Sequence, residues 1–246
     1  MNLDILIPIG FVSLIVGVMI AKSYFSRKAV VRRKLKKAVD VKISDFLTGD
    51  IAKIVGHVEI AGDVLIAPLS GRKCVYYHVL VEQLVSSGKS SYWKKLIEEE
   101  VSGTFVIRDG RYRAHIDRAS NLKTYLIQDK EYSSGLGNNA TERLENYLQA
   151  NGTESENWLG FNKKLRYKEG ILEQGECMAV VGRGEWKFAR EMSLRDSFGK
   201  ILVISSTDKE PVYLSDDPDV VEAAYNDLSE EYDGSDKYMG RLYSMN

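Results

Sequence analysis

The sequence predicts a mainly β soluble domain of the α+β class with a few helices, preceded by one N-terminal transmembrane helix. Two observations predict the β-rich part. Apolar and polar residues alternate from Asp50 onward, and glycine and proline turns separate the alternating stretches. A third observation predicts the membrane helix, because residues 5–21 carry no charge and only Ser13 as a polar side chain. A chain of 246 residues suits one medium-sized domain with attachments.

The predicted membrane anchor covers residues 3–21. This is about 19 residues, or roughly 28 Å of helix, which is just enough to cross a bilayer core. A cleaved signal peptide would carry positive charge before the apolar run, whereas Asp4 precedes this run and Lys22 follows it. The side chains expected to contact lipid are Leu3, Ile5, Ile9, Phe11, Leu14 and Val18.

A basic segment, residues 22–40, follows the anchor. Its positive side chains are Lys22, Arg27, Lys28, Arg32, Arg33, Lys34, Lys36 and Lys37. Lysine and arginine concentrate on the cytoplasmic side of a span, so we expect the N-terminus outside and the domain in the cytoplasm. Val31, Leu35 and Ala38 share one helical face. The segment is therefore either a basic helix on anionic lipid headgroups or a solvated topological signal, and nucleic acid is not an expected partner.

The body of the domain is expected at residues 41–215. Strands are predicted at residues 52–60, 64–67, 74–85, 103–108, 111–117, 177–181, 200–205 and 211–214. In the first strand, Ala52, Ile54 and Val58 should face the core, and Lys53 and His57 should face solvent. Between two later strands, Asp109-Gly110 predicts a tight hairpin turn.

Two helices are expected after the first strands. Residues 140–149 place Leu144 and Leu148 on one face. Residues 216–246 form an acidic C-terminal helix and tail, in which Asp217 caps a helix over residues 218–231. We expect this acidic segment to stay free of the bilayer.

Several sequence blocks carry a family resemblance. Residues 67–77 read APLSGRKCVYY, after a strand with an internal glycine and before the Asp109-Gly110 hairpin. The residues that make up the pattern are Gly56, Pro68, Ser70, Gly71, Cys74, Tyr76, Asp109 and Gly182. In this order the blocks resemble the GIDE domain, also called BAM for "beside a membrane", which lies between the membrane spans of the mitochondrial E3 ubiquitin ligase. The resemblance covers residues 43–215.

The resemblance implies a β-rich module beside a membrane and does not carry over the ligase chemistry. In the resembling ligase a separate RING module holds two zinc ions and recruits the conjugating enzyme. This chain has no cysteine or histidine after Cys177. At most, the resemblance implies an accessory role in ubiquitin-like transfer.

The residues themselves assemble no convincing reaction centre, and we predict no catalytic residue, cofactor or metal. His57, His78 and His115 fall on three different predicted strands without the spacing of a metal pair. His115 and Asp117 share one strand face, as a catalytic dyad would need, but an exposed strand face gives the same pattern. The cysteines, Cys74 and Cys177, are too few for a disulfide scaffold.

Our main hypothesis is a non-enzymatic module that binds or scaffolds at the cytoplasmic membrane surface, with an unnamed protein partner. Alternatives are the accessory role in ubiquitin-like transfer and a cryptic hydrolase that uses Ser70 or Cys74. A pocket that joins one of the three histidines to Asp109 or Asp117, with shifted pKa values, would argue against a purely binding role.

Overall fold

The computed structural model describes residues 22–135, 137–156 and 162–222. The predicted anchor and residues 223–246 of the acidic tail lie outside these ranges. Within the described ranges, no helix is both long enough and apolar enough to cross a membrane. The predicted fold class, mainly β with few helices, is confirmed for this part of the chain.

The secondary structure alternates long and short strands around two helices. Within the described residues the α-helices are α1 (Arg27–Lys37) and α2 (Glu142–Ala150), and residues 218–222 are also helical. The strands are β1 (Ile51–Ile60), β2 (Leu65–Ile66), β3 (Lys73–Cys74), β4 (Tyr76–Ser87), β5 (Ser90–Ser102), β6 (Phe105–Asp109), β7 (Tyr112–Ile116), β8 (Leu122–Tyr125), β9 (Lys130–Ser134), β10 (Leu165–Leu172), β11 (Cys177–Phe188), β12 (Lys200–Ser205) and β13 (Val212–Ser215).

Five strands close into a ring in the order β1-β6-β7-β12-β11, and β11 pairs back with β1. Neighbours in the ring are antiparallel except β7 and β12, which are parallel. This is the strand order of the OB-fold, a five-stranded Greek-key barrel. Strand β13 pairs with β11 outside the ring, and β8 pairs with β13.

Two glycines allow the barrel strands to pass each other closely. Strand β1 pairs with β11 up to His57 and with β6 from His57 onward. Beside this change of partner, a Cβ on Gly56 would lie 2.5 Å from the carbonyl oxygen of Arg108. In β11, a Cβ on Gly182 would lie 2.5 Å from Cγ2 of Ile204. Gly56 and Gly182, two of the three glycines of the family pattern, thus have a structural role in the barrel, since any larger residue would force the strands apart.

The barrel is filled inside and covered outside. Its interior holds fully buried side chains such as Ile54, Ile107 and Leu202. Helix α1 covers part of the outer surface, where Val31 and Leu35 are fully buried in a cluster that includes Val55, Ala179 and Tyr213. The helical spacing of Val31 and Leu35 is confirmed, but this apolar face packs on protein, so it is not available to lie on lipid.

The prediction that Lys53 faces solvent is wrong. Its side chain is 6% exposed, because α1 and residues 218–222 cover the outer face of β1. The Lys53 Nζ lies 2.8 Å from Asp40 and 3.5 Å from the carbonyl oxygen of Val220. A buried ammonium is stable only when paired in this way.

The second sheet, in the order β5-β4-β10-β9, is built from two insertions into the barrel. Strands β4 and β5 come between β1 and β6, and strands β9 and β10 come between β7 and β11. Helix α2 packs on one face of this sheet through Leu144, Tyr147 and Leu148. Strands β5, β8, β9 and β10 were not predicted.

Several local predictions are confirmed. The β6–β7 hairpin turns at Gly110, which has a φ of 56°. Helix α2 starts at Glu142, two residues later than predicted. The Thr141 hydroxyl caps it by accepting a hydrogen bond from the Leu144 amide. Residues 218–222 are helical, and Asp217 Oδ1 accepts a hydrogen bond from the Asp219 amide at 3.1 Å. The helix therefore begins where the capping pattern predicts.

Candidate ligand groove beside helix α1

A cavity of about 300 Å³ lies between the first turn of α1, strand β8 and the face of the second sheet that α2 leaves open. We call it the α1 groove. Its lining residues are Arg27, Lys28, His78, Leu80, Glu98, Glu100, Thr124, Tyr125, Leu126, Gln128, Lys168 and Gly170. Clefts between separate layers of structure are common ligand sites.

Strand register brings the floor of the groove together. One row across the open face runs Gly170, His78, Glu100, and the next runs Lys168, Leu80, Glu98. Alternate residues of a strand point to opposite faces, so these residues share one face while their neighbours pack beneath α2. The groove therefore combines charged groups that are up to 141 residues apart in sequence, from Arg27 to Lys168.

Helix α1 holds its side of the groove by apolar packing and by ion pairs. Ser26 caps the helix, because its hydroxyl accepts from the Ala29 amide at 3.2 Å. Further along, Arg32 Nε lies 2.7 Å from Asp217 and Lys34 Nζ lies 2.6 Å from Glu210. The basic segment thus binds acidic residues of its own chain, including the cap of the C-terminal helix.

The acidic groups of the groove already have cationic partners. Arg27 lies 2.6 Å from Glu100, whose carboxylate also accepts from the Tyr76 hydroxyl. Burial opposes the charge of Arg27, but the hydrogen bond to Glu100 raises its pKa above the ordinary value. Glu98 binds Lys95 and lies 3.3 Å from His78 Nε2. The hydrogen bond from Lys95 lowers the pKa of Glu98 despite its partial burial.

The groove retains an excess of positive charge. Arg27, Lys28 and Lys168 face two carboxylates, which leaves one net positive charge when His78 is neutral. Lys28 Nζ lies 5.0 Å from the ring centroid of Tyr125, a cation–π contact. The groove is therefore suited to an anionic ligand.

A second cavity, of about 230 Å³, lies on the other side of Tyr76 and is lined by His115 and Asp117 among others. His115 is 3% exposed, its Nδ1 lies 3.1 Å from the carbonyl oxygen of Phe105, and burial lowers its pKa. Asp117 accepts from the Ala119 amide at 3.1 Å. A pocket of this kind argues against a purely binding role, so we treat it as a second candidate site.

The APLSG block forms a buried turn. The amides of Leu69 and Ser70 donate to Glu169, at 2.8 and 3.0 Å, and Glu169 is 1% exposed. Gly71 has a φ of 73°, which glycine adopts easily, and its amide donates to the Ala67 carbonyl. The turn that contains Pro68 is thus fixed to the centre of the second sheet.

The two residues of the hydrolase hypothesis have surroundings that do not activate them. The Ser70 hydroxyl accepts from the Arg72 amide at 3.3 Å. Cys74 is 1% exposed, and burial raises the pKa of its thiol to about 11. A thiol of this kind is protonated at neutral pH, whereas the nucleophile must be a thiolate.

Cys177 and His57 form a cross-strand pair in the barrel wall. The Cys177 Sγ lies 3.6 Å from His57 Nδ1, which also lies 3.0 Å from the carbonyl oxygen of Gly175. Burial raises the pKa of Cys177 to about 11, so this thiol too is protonated at neutral pH. Among the described residues, no group of histidine, cysteine and acidic side chains could hold a metal ion.

The predicted site residues separate into distinct groups. Of the eight predicted basic residues, Arg27 and Lys28 line the groove. Arg32 and Lys34 form ion pairs with Asp217 and Glu210, and Arg33 stacks on Tyr24. The remaining three, Lys22, Lys36 and Lys37, are exposed. The membrane-anchor residues lie outside the described ranges. Asp109 and Gly110 belong to the hairpin, and of the family pattern Tyr76 alone borders the second cavity.

Sequence reasoning missed the groove residues of the second sheet. Glu98, Glu100 and Lys168 lie on strands β5 and β10, which were not predicted. Leu165, Tyr167 and Ile171 fall at alternate positions, and this pattern could have predicted strand β10.

Comparison with protein-family models, curated proteins and solved structures finds no match in any of the three. The resemblance to the GIDE domain stays a prediction.

Proposed function

We propose that the chain is a membrane-anchored binding module that holds a ligand in the α1 groove at the cytoplasmic membrane surface. One observation carries the proposal: the groove is lined by Arg27, six residues after the end of the predicted span. Six residues cover about 9 Å as helix and about 20 Å when fully extended. The mouth of the groove would therefore lie within or beside the headgroup layer.

Helix α1 supports this role because its packing on the barrel would hold the domain close to the predicted span. Its face with Val31 and Leu35 is fully buried on the barrel. The backbone at Ser26, which caps α1, is extended, so a short non-helical break would separate the predicted span from α1. Tyr24 and Phe25, which are 52% and 72% exposed, would lie at the interface where membrane proteins concentrate aromatic side chains.

The chemistry of the groove supports binding. His78 in the groove contacts Glu98, and Tyr76, which lies beside the groove, is within 2.9 Å of the Thr124 hydroxyl, so both groups that could transfer protons are engaged in structural contacts. Burial and the hydrogen bond to Glu100 raise the pKa of Tyr76, so it keeps its proton at neutral pH.

Membrane extraction of the full chain tests the proposal. We expect the chain to resist alkaline carbonate extraction and a C-terminal tag to be digested by protease added from the cytoplasmic side. A variant with Ile9→Arg and Leu14→Arg should be extracted, whereas a control with Ile9→Leu and Leu14→Ile should not. Extraction of the unchanged chain, or protection of the tag, would refute the proposed anchoring.

A second candidate function is acid–base chemistry in the cavity beside Tyr76. The observation that favours it is His115, a buried imidazole with a lowered pKa that borders the cavity together with Asp117. A panel of ester, amide and phosphoester substrates tests it. Activity that is lost in His115→Asn and kept in His78→Asn would support this candidate, and no turnover of the panel would count against it. The accessory role in ubiquitin-like transfer stays a prediction, without a structural observation that favours it.

A further inference from the structure

We propose that the α1 groove binds the phosphate-bearing headgroup of an anionic phospholipid, with Lys28 and Lys168 as the cations that contact the phosphate. The inference rests on the proposed function, because it requires the groove to lie at the bilayer. It adds the chemical class of the ligand and the two side chains that recognise it.

The ion pairs of the groove leave hydrogen-bond donors of these two lysines for a ligand, because each ammonium has three donors and Lys168 shares its one carboxylate with Arg166. Arg27 is used by Glu100 at 2.6 Å. Lys168 Nζ lies 3.6 Å from Glu82, a carboxylate that Arg166 already binds at 2.5 Å. Lys28 contacts the ring of Tyr125, which leaves its ammonium donors open to an acceptor.

The two lysines come from different layers of the molecule. Lys28 lies on α1, and Lys168 lies on β10 in the centre of the second sheet. A surface patch that serves only as a topological signal has no reason to recruit a cation 140 residues away. Convergence of the two on one cavity is what a built anion site requires.

The shape of the groove fits a headgroup with an attached apolar part. Its volume of about 300 Å³ is at the lower end for small-molecule sites. Leu80 and Leu126 line it together with the charged groups, and Gly170 contributes no side chain to its floor. A Cβ at Gly170 would lie 2.6 Å from the carbonyl oxygen of Ile127, so the two layers meet closely here.

A phosphate could also come from a free metabolite. The position of the groove close to the predicted span favours the lipid as its source. The groove begins within reach of the predicted span, and each lysine or arginine near an anionic bilayer strengthens attraction to it. Free glycerol 3-phosphate and inorganic phosphate share the anionic chemistry, so they serve as probes for the alternative source.

The test is lipid binding to the purified full chain, measured by native mass spectrometry in detergent. Phosphatidylglycerol is titrated against phosphatidylcholine, and glycerol 3-phosphate and inorganic phosphate are titrated separately. The variant Lys28→Gln with Lys168→Gln removes the proposed phosphate contacts. The matched control, Lys36→Gln with Lys37→Gln, removes the same charge from exposed positions at the other end of α1.

We expect the groove variant to lose about tenfold or more in affinity for phosphatidylglycerol and the control to change less than about twofold. The variant Lys28→Arg with Lys168→Arg should keep binding, which separates charge recognition from loss of fold. Equal loss in groove variant and control would overturn the proposal, because the attraction would then be general. Binding of the soluble phosphates with the same lysine dependence, but without preference for the anionic lipid, would overturn the lipid as the source.

Failure of this inference and failure of the proposed function are distinguishable. A chain that resists carbonate extraction yet shows no lipid preference keeps the membrane-anchored module and loses the headgroup site. A chain that is extracted loses both.

Discussion

The barrel and the second sheet are β structures that differ in what covers them. The barrel has a filled interior, and its outer surface is covered by α1 and by the segment with Ala189 and Leu194, which packs on Val106 and Val203. The second sheet has one face under α2 and one face open.

This difference shows which residues can serve a function without being required for packing. In the barrel nearly every position is constrained by packing, down to glycines that admit no Cβ. On the open face of the second sheet, ion pairs such as Arg166 with Glu82 replace apolar contacts. Charged residues there can change without loss of a core, and the α1 groove is built from them.

The largest effect expected from this comparison is in the barrel interior. Ile54→Ala removes a fully buried side chain and should lower the free energy of unfolding by about 2–5 kcal/mol, through lost apolar burial and the cavity left behind. Leu80→Ala, on the partly exposed open face, should lower it by less than about 1 kcal/mol. Chemical denaturation of the full chain measures both, and equal values would refute the contrast.

The next effect lies at the buried turn that anchors the second sheet. Glu169→Gln replaces one of the two accepting oxygens with an amide donor, so one of the buried amides of Leu69 and Ser70 loses its acceptor. We expect a loss of about 2–3 kcal/mol and faster hydrogen exchange at these amides. Glu131→Gln on the neighbouring strand β9, an exposed position, is the matched control and should leave exchange unchanged.

A pH-dependent effect is expected at Asp216, the residue that directly follows strand β13. Burial, together with Glu176 and Asp129 nearby, raises the pKa of Asp216 to about 7 even though it accepts from the Ile127 amide. In the unfolded chain this pKa is about 3.9. The folded chain therefore holds a proton that the unfolded chain has released, and stability falls as pH rises from about 4 to about 7.

The variant Asp216→Asn removes this titration. It should stabilise the chain relative to wild type, and by roughly 2.5 kcal/mol more at pH 8 than at pH 5. Thermal or chemical denaturation at the two pH values checks the difference. A gain that is the same at both values would show that Asp216 titrates normally in the folded chain.

The smallest effect is expected at the ionic contacts of α1. Lys34 and Glu210 have side chains that are 43% and 44% exposed, so Lys34→Gln should lower stability by less than about 1 kcal/mol. Leu35→Ala, one residue along and fully buried, should lower it several times more. A reversed order would mean that charge, and not apolar packing, holds α1 on the barrel.

Local signals were sufficient for much of the barrel and for the helices. The Asp109-Gly110 turn, the Asp217 cap and the apolar face of Leu144 and Leu148 each depend on neighbours in sequence. The pairing of β1 with β11 could not be predicted from local sequence patterns, because it joins segments about 120 residues apart. Lys53 was misassigned for the same reason. Residues 218–222, which help to bury its side chain, lie far away in sequence, and the Lys53 Nζ contacts the carbonyl oxygen of Val220.

The candidate site was less predictable than the fold. Strand β5 contains the run KKLIEEE at residues 94–100, whose charges hide the alternation that identifies a strand. The alternation is weak because the face of β5 on the α2 side also carries a charged residue, Glu99, whose carboxylate accepts hydrogen bonds from the Tyr77 and Tyr147 hydroxyls. The signal that did point to the groove was the basic segment, of which Arg27 and Lys28 line it.

The insertion of the second sheet into the barrel imposes an order of assembly on the chain during synthesis. The β4–β5 hairpin can pair once residue 102 has been made, because its strands are joined by a short turn. The ring cannot close until β11 and β12 follow, up to residue 205. Helix α1 is made before all of these strands, whereas Ala179 and Tyr213, against which it packs, come more than 140 residues later. Its apolar face must therefore wait for most of the chain, which makes the docking of α1 a late step of folding.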